Sequence, residues 1–193
     1  MDKQIQKAID VLNQGGIVIF PTDTAFGIGC KISNEKAVER LFKIRQRPER
    51  KAAPVLLNGI KMAERYLKEI KPETRKLMEE YWPGALTIVD FCKTERIPSL
   101  VRGGGKTLGV RMPNCKEVLA LVAGVSEPIL GPSANFSGGK TPFGFNDLDK
   151  ELIRKVDFVF FGKTNGFGVS TVIDCTKSPF KTLRQGAALV KSL

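Results

Sequence analysis

Residues 17–30, IVIFPTDTAFGIGC, set the class of fold. IVIF is a short apolar run, which is typical of a buried strand. PTDTAFG then predicts a turn, because Pro, Thr and Asp favour turns, and the chain continues as an extended segment. Thr22, Asp23 and Thr24 therefore stand at a strand end, where α/β proteins tend to bind ligands. An ordinary structural turn is the alternative interpretation of these three residues.

Helical and strand-like segments alternate along the rest of the chain, and no linker or change of composition divides them. Helices are predicted at 3–14, from Asn34 to about 45, at 60–69, 73–81, 114–123 and 147–155. Strands are predicted at 17–20, 54–57, 85–91, 108–113, 128–130, 157–161, 168–175 and 181–184. This order predicts one α/β domain over residues 1–193, with a twisted mixed parallel and antiparallel sheet and flanking helices.

The composition excludes several classes of protein and site. Hydrophobic residues make up 42% and charged residues 26% of 193 residues, which is ordinary for a globular protein. No apolar run approaches the ~20 residues of a membrane span, and no signal peptide is evident, so we expect a cytoplasmic protein. The net charge of +11 favours an anionic partner such as a nucleotide or RNA.

The chain contains no histidine. A Ser-His-Asp or Cys-His nucleophile system and a His general base are therefore excluded. The cysteines Cys30, Cys92, Cys115 and Cys175 are scattered singly, so they predict buried, reduced thiols rather than a zinc site. If the chain is an enzyme, its chemistry must rest on Arg, Lys, hydroxyls, carboxylates, backbone amides or a bound metal.

The most basic stretch is KIRQRPERK, residues 43–51. On a helix that begins after Asn34, Lys43 lies opposite the apolar face and Arg45 lies within it, where a charge must pair or line a cleft. Pro48 disfavours a helical Arg47, so we expect the chain to leave the helix there. In extended chain Arg45 and Arg47 would then point the same way.

A second polar loop, GPSANFSGGKTP at 131–142, follows a short strand. Its small residues would let backbone amides approach a phosphate, although a flexible turn is an equally good interpretation. GGGKT at 103–107 and SGGKT at 137–141 resemble the end of a P-loop motif. The position of the first glycine of that motif holds Leu100 in one and Ala134 in the other, so neither stretch is a P-loop.

Taken in order, several segments resemble the YrdC/Sua5 family of threonylcarbamoyl-AMP synthases. The matching pieces are FPTDTAFGIGC, RQRPERKAAPVLL, WPGALTIV, VRMP, GPSANFSG, VSTVID and LRQG. The resemblance covers nearly the whole chain and is to the short form of the family, without the extra C-terminal domain. It implies the YrdC-like fold with a basic concave cleft.

The resemblance also implies a reaction. Members convert L-threonine, bicarbonate and ATP to L-threonylcarbamoyl-adenylate and pyrophosphate, and partner transferase proteins then modify adenosine 37 of tRNA. The substrates supply the nucleophile, so the protein needs only to position anions and neutralise phosphate charge. Mg²⁺ is expected with ATP, and no motif indicates protein ligands for a metal.

The resemblance assigns roles to particular residues. L-threonine would be held by Thr24, Leu56, Arg111, Gly131 and Ser170, with Arg111 on its carboxylate. ATP would be held by Arg47, Lys51, Thr107, Ser133, Thr141 and Arg184. The catalytic set implied by the family's basic and SxN motifs is Arg45, Arg47, Ser133 and Asn135.

One position departs from the family pattern, which is usually Lys-x-Arg-Pro and here is Arg45-Gln46-Arg47-Pro48. An arginine keeps the charge but presents a planar, bulkier head group. A rival hypothesis is a non-catalytic module of the same fold that binds tRNA or double-stranded RNA, which the +11 charge supports. A second rival, the related domain of hydrogenase-maturation proteins, lacks support because no zinc-finger-like cysteines are present.

Overall fold

The computed structural model describes residues 2–166 and 168–191. In that part of the chain the α-helices are α1 (Lys3–Asn13), α2 (Glu35–Ile44), α3 (Ile60–Tyr66), α4 (Pro72–Tyr81), α5 (Lys116–Val125) and α6 (Lys150–Ile153). The strands are β1 (Val18–Phe20), β2 (Gly27–Gly29), β3 (Val55–Leu56), β4 (Leu86–Phe91), β5 (Thr107–Arg111), β6 (Ile129–Leu130), β7 (Phe158–Val159), β8 (Thr171–Asp174) and β9 (Lys181–Arg184). Each predicted helix and strand is present, most with shorter bounds.

The strands form two mixed sheets rather than the one that the sequence predicts. The smaller sheet has the order β2-β1-β7, with β1 antiparallel to β2 and parallel to β7. The larger sheet has the order β6-β3-β5-β4-β8-β9. Isolated bridges between Gly27 and Ser133 and between Lys31 and Ile129 join the edges of the two sheets. The predicted mixed α/β fold is therefore confirmed.

The core forms where apolar faces of the helices meet the sheets. All residues of β1 are buried, as expected of a central strand that is covered on both faces. In α1 the buried residues Ala8, Ile9 and Leu12 recur at helical spacing, and this face packs on α5. Cys30, Cys92 and Cys175 are buried and Cys115 is half-buried, and all are free thiols.

The helix that carries the basic stretch begins as predicted and ends differently. Asn34 caps α2 by accepting a hydrogen bond at 3.0 Å from the backbone N–H of Ala37. At the other end Gln46 adopts a left-handed φ of 51°, and the N–H of Arg47 reaches back to the carbonyl of Phe42 at 2.9 Å. This is a Schellman ending, so the prediction of extended chain from Arg45 to Arg47 is wrong.

Among the described residues no helix is both long and apolar enough to cross a membrane.

Candidate functional site

A cavity of about 310 Å³ opens where the two sheets meet. Four segments surround it: the turn after β1, the chain after α2, the loop after β6, and the ends of β5, β8 and β9. Its lining residues are Thr22, Thr24, Ala25, Phe26, Gly27, Arg45, Arg47, Lys51, Pro54, Arg111, Gly131, Pro132, Ser133, Asn135, Ser137, Gly138, Gly139, Val169, Ser170 and Arg184.

Arg111, at the end of β5, is a buried cation of the cavity, with 6% of its surface exposed. Its Nε donates to the carbonyl of Gly84 at 2.9 Å, and one terminal nitrogen donates to Thr24 Oγ1 at 2.9 Å. The other terminal nitrogen forms a buried ion pair with Asp23 at 2.5 Å. Burial lowers the pKa of Arg111, and the nearby Asp23 carboxylate opposes that effect. Each terminal nitrogen keeps one further N–H, which is enough to bind a carboxylate.

Hydrogen bonds of its own threonine hydroxyls stabilise the turn after β1. Thr22 Oγ1 donates to the carbonyl of Ala25 at 2.7 Å and accepts from the backbone N–H of Thr24 at 3.0 Å. The two threonine hydroxyls lie 3.0 Å apart, so Thr22 fixes the hydroxyl of Thr24 beside Arg111. Since both side chains are buried and both line the cavity, this segment does more than reverse the chain.

Ser170 and Arg184 form the wall next to Arg111. Arg184 donates from Nε to the carbonyl of Ser170 and from a terminal nitrogen to Ser170 Oγ, both at 3.0 Å. Ser170 Oγ also lies 2.8 Å from Thr87 Oγ1 on β4. Burial lowers the pKa of Arg184, and the charge of Arg111 adds to this effect. Two arginines are therefore held close to one another at this end of the cavity.

The chain after β9 holds Arg184 in place. Thr171 Oγ1 accepts from the backbone N–H of Gly186 at 2.9 Å and donates to the carbonyl of Ala188 at 2.7 Å. The N–H of Ala187 donates to the carbonyl of Val169 at 2.8 Å. At Gly186 a Cβ would lie 2.3 Å from the Val169 oxygen, so only glycine permits this approach.

Arg45 and the loop after β6 form the opposite wall. Arg45 is 2% exposed, and it donates to the main-chain oxygen of Asn135 at 2.9 Å and to its side-chain oxygen at 3.1 Å. Ser133 Oγ donates to the same side-chain oxygen at 2.7 Å, and the amide of Asn135 donates to the carbonyl of Gly139 at 2.6 Å. Burial, followed by the charge of Arg47, lowers the pKa of Arg45 to about 10.

The remaining terminal nitrogen of Arg45 is buried and has no partner among the described residues. An unpaired buried donor is costly, and one that borders a cavity is suited to a ligand acceptor.

Arg47 stands between two cavities. Its guanidinium donates to the carbonyls of Lys51 and Ala52 and lies 5.8 Å over the ring of Phe42. The same residue lines a wider cavity of about 680 Å³ between α2 and the loop at 98–104. Burial lowers the pKa of Arg47. Lys51 lies at the mouth of the smaller cavity and is exposed, as Lys43 and Arg50 are.

Most residues to which the resemblance assigns a role line the cavity, and three do not. Leu56 is buried beneath Gly131, where a Cβ would lie 2.3 Å from its side chain. Thr107 begins β5, at the opposite end of the strand from Arg111. Thr141 lies in the loop after β6, next to Pro142, whose carbonyl accepts from Phe26 at 2.9 Å. Their assigned roles stay predictions.

Sequence reasoning missed several groups that shape the site. Thr87 and the carbonyl of Gly84 support Ser170 and Arg111, and Thr171 and Gly186 position Arg184. The sequence contained a signal for Gly84 only, because WPG interrupts a helix. A strand threonine that bonds across a sheet resembles any other strand threonine.

The charged residues that line the cavity in the described parts of the chain are all basic. The lining includes Arg45, Arg47, Lys51, Arg111 and Arg184 and, within the described parts of the chain, no Asp or Glu. Asp23 stands just behind the lining and is paired with Arg111. Such a site can bind several anionic groups, and it offers no carboxylate cage for a metal ion.

Comparisons with known proteins point in one direction. Residues 10–186 match the Sua5/YciO/YrdC family model, which is described as telomere recombination. A threonylcarbamoyl-AMP synthase of Pyrococcus abyssi is 35% identical over 184 residues, which are 95% of this chain and 54% of the relative. The chain thus spans about half the length of that relative.

Solved structures agree with the sequence comparisons. The crystal structure of P. abyssi Sua5 complexed with L-threonine has a TM-score of 0.89 and 34% identity, covering 94% of this chain and 54% of that one. The crystal structure of Escherichia coli YciO has a TM-score of 0.88 and 28% identity, covering 99% and 94% of the two chains.

Proposed function

Because this chain belongs to the Sua5/YciO/YrdC family, we propose that it is a threonylcarbamoyl-AMP synthase, a nucleotidyltransferase that acts on L-threonine, bicarbonate and ATP. One observation carries the proposal: Thr24, Arg111 and Ser170 meet at one end of a single cavity, and Arg45, Arg47 and Ser133 border the same cavity. A P. abyssi relative of the same fold binds L-threonine in its crystal structure.

The end of the cavity near Arg111 suits the amino acid. The free N–H groups of Arg111 would bind the threonine carboxylate, and its other donors already hold Asp23, Thr24 and Gly84. Hydroxyls of Thr24 and Ser170 lie beside it and would bind the polar groups of the substrate. Because these side chains are held before any ligand arrives, little conformational entropy is lost on binding.

The opposite end of the cavity suits the phosphates. Arg45, Ser133 and Gly139 line one space, and one terminal nitrogen of Arg45 has no partner among the described residues. Arg47 and Lys51 add charge at its rim. With no carboxylate among the described lining residues, we propose that Mg²⁺ enters on the ATP phosphates rather than on a protein cage.

The arrangement supports the following reaction, which we propose. The threonine amine would attack the carbon of bicarbonate, and loss of one water would give a carbamate, whose oxygen attacks the α-phosphorus of ATP. A P–O bond forms there, the bond to the bridging oxygen of the β-phosphate breaks, and pyrophosphate leaves with that electron pair. The substrates supply the nucleophile, so the protein positions the reactants and stabilises charge on the phosphates. No histidine is required.

The product would then pass to tRNA threonylcarbamoyl-transferase proteins, and we propose the cytoplasm as the place where ATP and tRNA are both available. The rival of a non-catalytic RNA-binding module is not favoured, because the buried arginine and hydroxyl network has the form of a small-molecule site. RNA contact through the exposed basic residues stays a prediction.

The test is pyrophosphate release by the purified chain with Mg²⁺, ATP and bicarbonate. We expect release that requires threonine and falls when serine or valine replaces it. Arg111→Ala should abolish the threonine dependence, whereas Lys43→Gln, at an exposed position on α2, should leave it unchanged. Release that is equal with and without threonine would refute the proposal.

A further inference from the structure

The face of the larger sheet that carries Arg111 continues beyond the cavity. Successive side chains of a strand point to opposite faces, and directly paired residues share a face. Thr107, Gly109 and Arg111 of β5 therefore lie on one face with Phe91 and Val89 of β4, because Phe91 pairs with Thr107 and Val89 with Gly109. We call these five residues the open face.

Burial along the open face decreases away from the cavity. Arg111 is 6% exposed, Val89, Gly109 and Thr107 are partly exposed, and Phe91 is 43% exposed. Arg111 lies four residue steps from Thr107 along β5, a length of about 13 Å at ~3.3 Å per residue. A Cβ at Gly109 would be in ordinary van der Waals contact with Thr87 and Pro54, at 3.5 and 3.6 Å, and Gly109 itself is partly exposed.

Phe91 ends the open face as an aromatic ring with no role in the core. In the described parts of the chain no other aromatic ring packs on it. Thr107 lies beside it on β5, and Lys68 lies on its other side, donating its backbone N–H to the Phe91 carbonyl at 2.9 Å. Asp174 of β8 pairs with Val89, which places a carboxylate near this end of the sheet.

This chemistry fits a nucleobase better than a phosphate. A flat ring offers a stacking surface to any base, and a lysine beside it can meet the polar edge of the base. The Asp174 carboxylate would repel a phosphate at this end, whereas a neutral base carries no such penalty. Arg111 lies at the other end of the same face, next to Arg184, which the resemblance assigns to ATP.

We propose that Phe91 is the stacking platform for the base of the nucleotide whose phosphates bind in the cavity. The proposal rests on the proposed use of ATP and adds a residue that would position the base. The open face connects the platform to the cavity without an intervening element, because β4 and β5 form both ends of it. Loss of a stacking aromatic typically weakens base binding by roughly 5- to 150-fold.

Binding is measured with and without a base on the ligand. We would titrate Phe91→Leu and the unaltered protein with Mg-ATP and with Mg-tripolyphosphate, in the absence of threonine and bicarbonate. We expect Phe91→Leu to raise the Kd for ATP about 10-fold and to leave the Kd for tripolyphosphate unchanged. Phe161→Leu, which alters another exposed ring, should change neither value.

A second variant reports on the ring directly. In Phe91→Trp the introduced indole should be quenched by ATP and not by tripolyphosphate, with the signal of the native Trp82 in the unaltered protein as the baseline. An equal Kd for ATP in Phe91→Leu and the unaltered protein would overturn the proposal. Quenching by an RNA stem-loop with no response to ATP would overturn it as well.

These titrations separate the platform from the proposed activity. ATP binding that depends on Phe91 supports the platform whether or not pyrophosphate release requires threonine. If pyrophosphate release requires threonine but Phe91→Leu leaves the Kd for ATP unchanged, the proposed activity is supported and the stacking role of Phe91 is refuted.

Discussion

The guanidinium of Arg45 holds Asn135 by both its main-chain and its side-chain oxygen, at 2.9 and 3.1 Å. The carbonyl of Arg45 also accepts the N–H of Ser137 at 2.8 Å. The residue that ends α2 therefore fixes the loop after β6, while one of its terminal nitrogens has no partner within the described part of the chain. A lysine would have to reach both oxygens of Asn135 from one nitrogen, whereas Arg45 reaches each oxygen with a separate nitrogen.

Arg45→Lys should therefore destabilise the chain although it restores the usual residue of the family. Since one hydrogen bond contributes about 1 kcal/mol, we expect the free energy of unfolding to fall by about 1–2 kcal/mol. The KM for ATP should also rise, because the loop that carries Ser133 loses hydrogen bonds that fix its position. Urea unfolding and steady-state kinetics measure both, with Lys43→Arg as the matched control. Equal stability of Arg45→Lys and the unaltered protein would argue against a stabilising role of the hydrogen bonds between Arg45 and Asn135.

Asp23→Asn tests the buried ion pair with Arg111. Removing one charge of a buried pair leaves the other uncompensated, so we expect a loss of about 3 kcal/mol in the free energy of unfolding. Threonine should then stabilise the variant more than it stabilises the unaltered protein, because its carboxylate replaces the missing counter-ion. Thermal unfolding across a threonine series measures this, and identical shifts in the two proteins would contradict it.

Gly186→Ala should displace the segment that positions Arg184. The added Cβ would lie 2.3 Å from the Val169 oxygen and 2.5 Å from the Ser170 carbon. Both are backbone atoms, so no rotation of a side chain can relieve the clash. We expect a loss of about 2 kcal/mol in unfolding free energy and a higher KM for ATP. Gly59→Ala is the control, because nothing lies within 4 Å of a Cβ there. Comparable effects of the two substitutions would refute the role of Gly186.

Gln46→Gly should stabilise the end of α2. Gln46 has a φ of 51°, a left-handed conformation that costs a residue with a Cβ about 1 kcal/mol and that glycine adopts freely. Urea unfolding should show a gain approaching that value, reduced by the greater freedom of glycine in the unfolded chain. A loss of stability would show that the Gln46 side chain contributes contacts that outweigh its backbone strain.

Asp90→Asn should change how stability depends on pH. Burial raises the pKa of Asp90, and one of its oxygens has no partner among the described residues. The folded protein thus holds this proton more tightly than the unfolded chain, so the free energy of unfolding falls as pH rises from the ordinary Asp value through the raised pKa. Asparagine can still accept from the N–H of Phe91, and it does not titrate.

The measurement for Asp90 is urea unfolding of both proteins between pH 4 and 8. The advantage of Asp90→Asn over the unaltered protein should grow with pH and then level off. A difference that is constant over this range would contradict the raised pKa.

How far sequence reasoning reached differs between fold and site. Periodicity predicted β9 at its observed bounds and α2 with its cap, because local pattern determines those features. It could not predict two sheets, since the separation depends on pairing between β1 and β7, far apart in the chain. Arg45 was placed on the inward face by helical spacing alone, yet its partner Asn135 is 90 residues away and no local rule connects them.

The pairing of β1 with β7 also bears on how the protein is made. Val18 lies beside Phe158, so 140 residues must follow before the first strand meets its parallel neighbour. At ribosomal speed that interval lasts on the order of ten seconds, during which the edge of an apolar strand stays unpaired on the nascent chain. A terminated translation product that lacks the last fifth of the sequence would keep that edge open, and we would expect it to require chaperones or to be degraded.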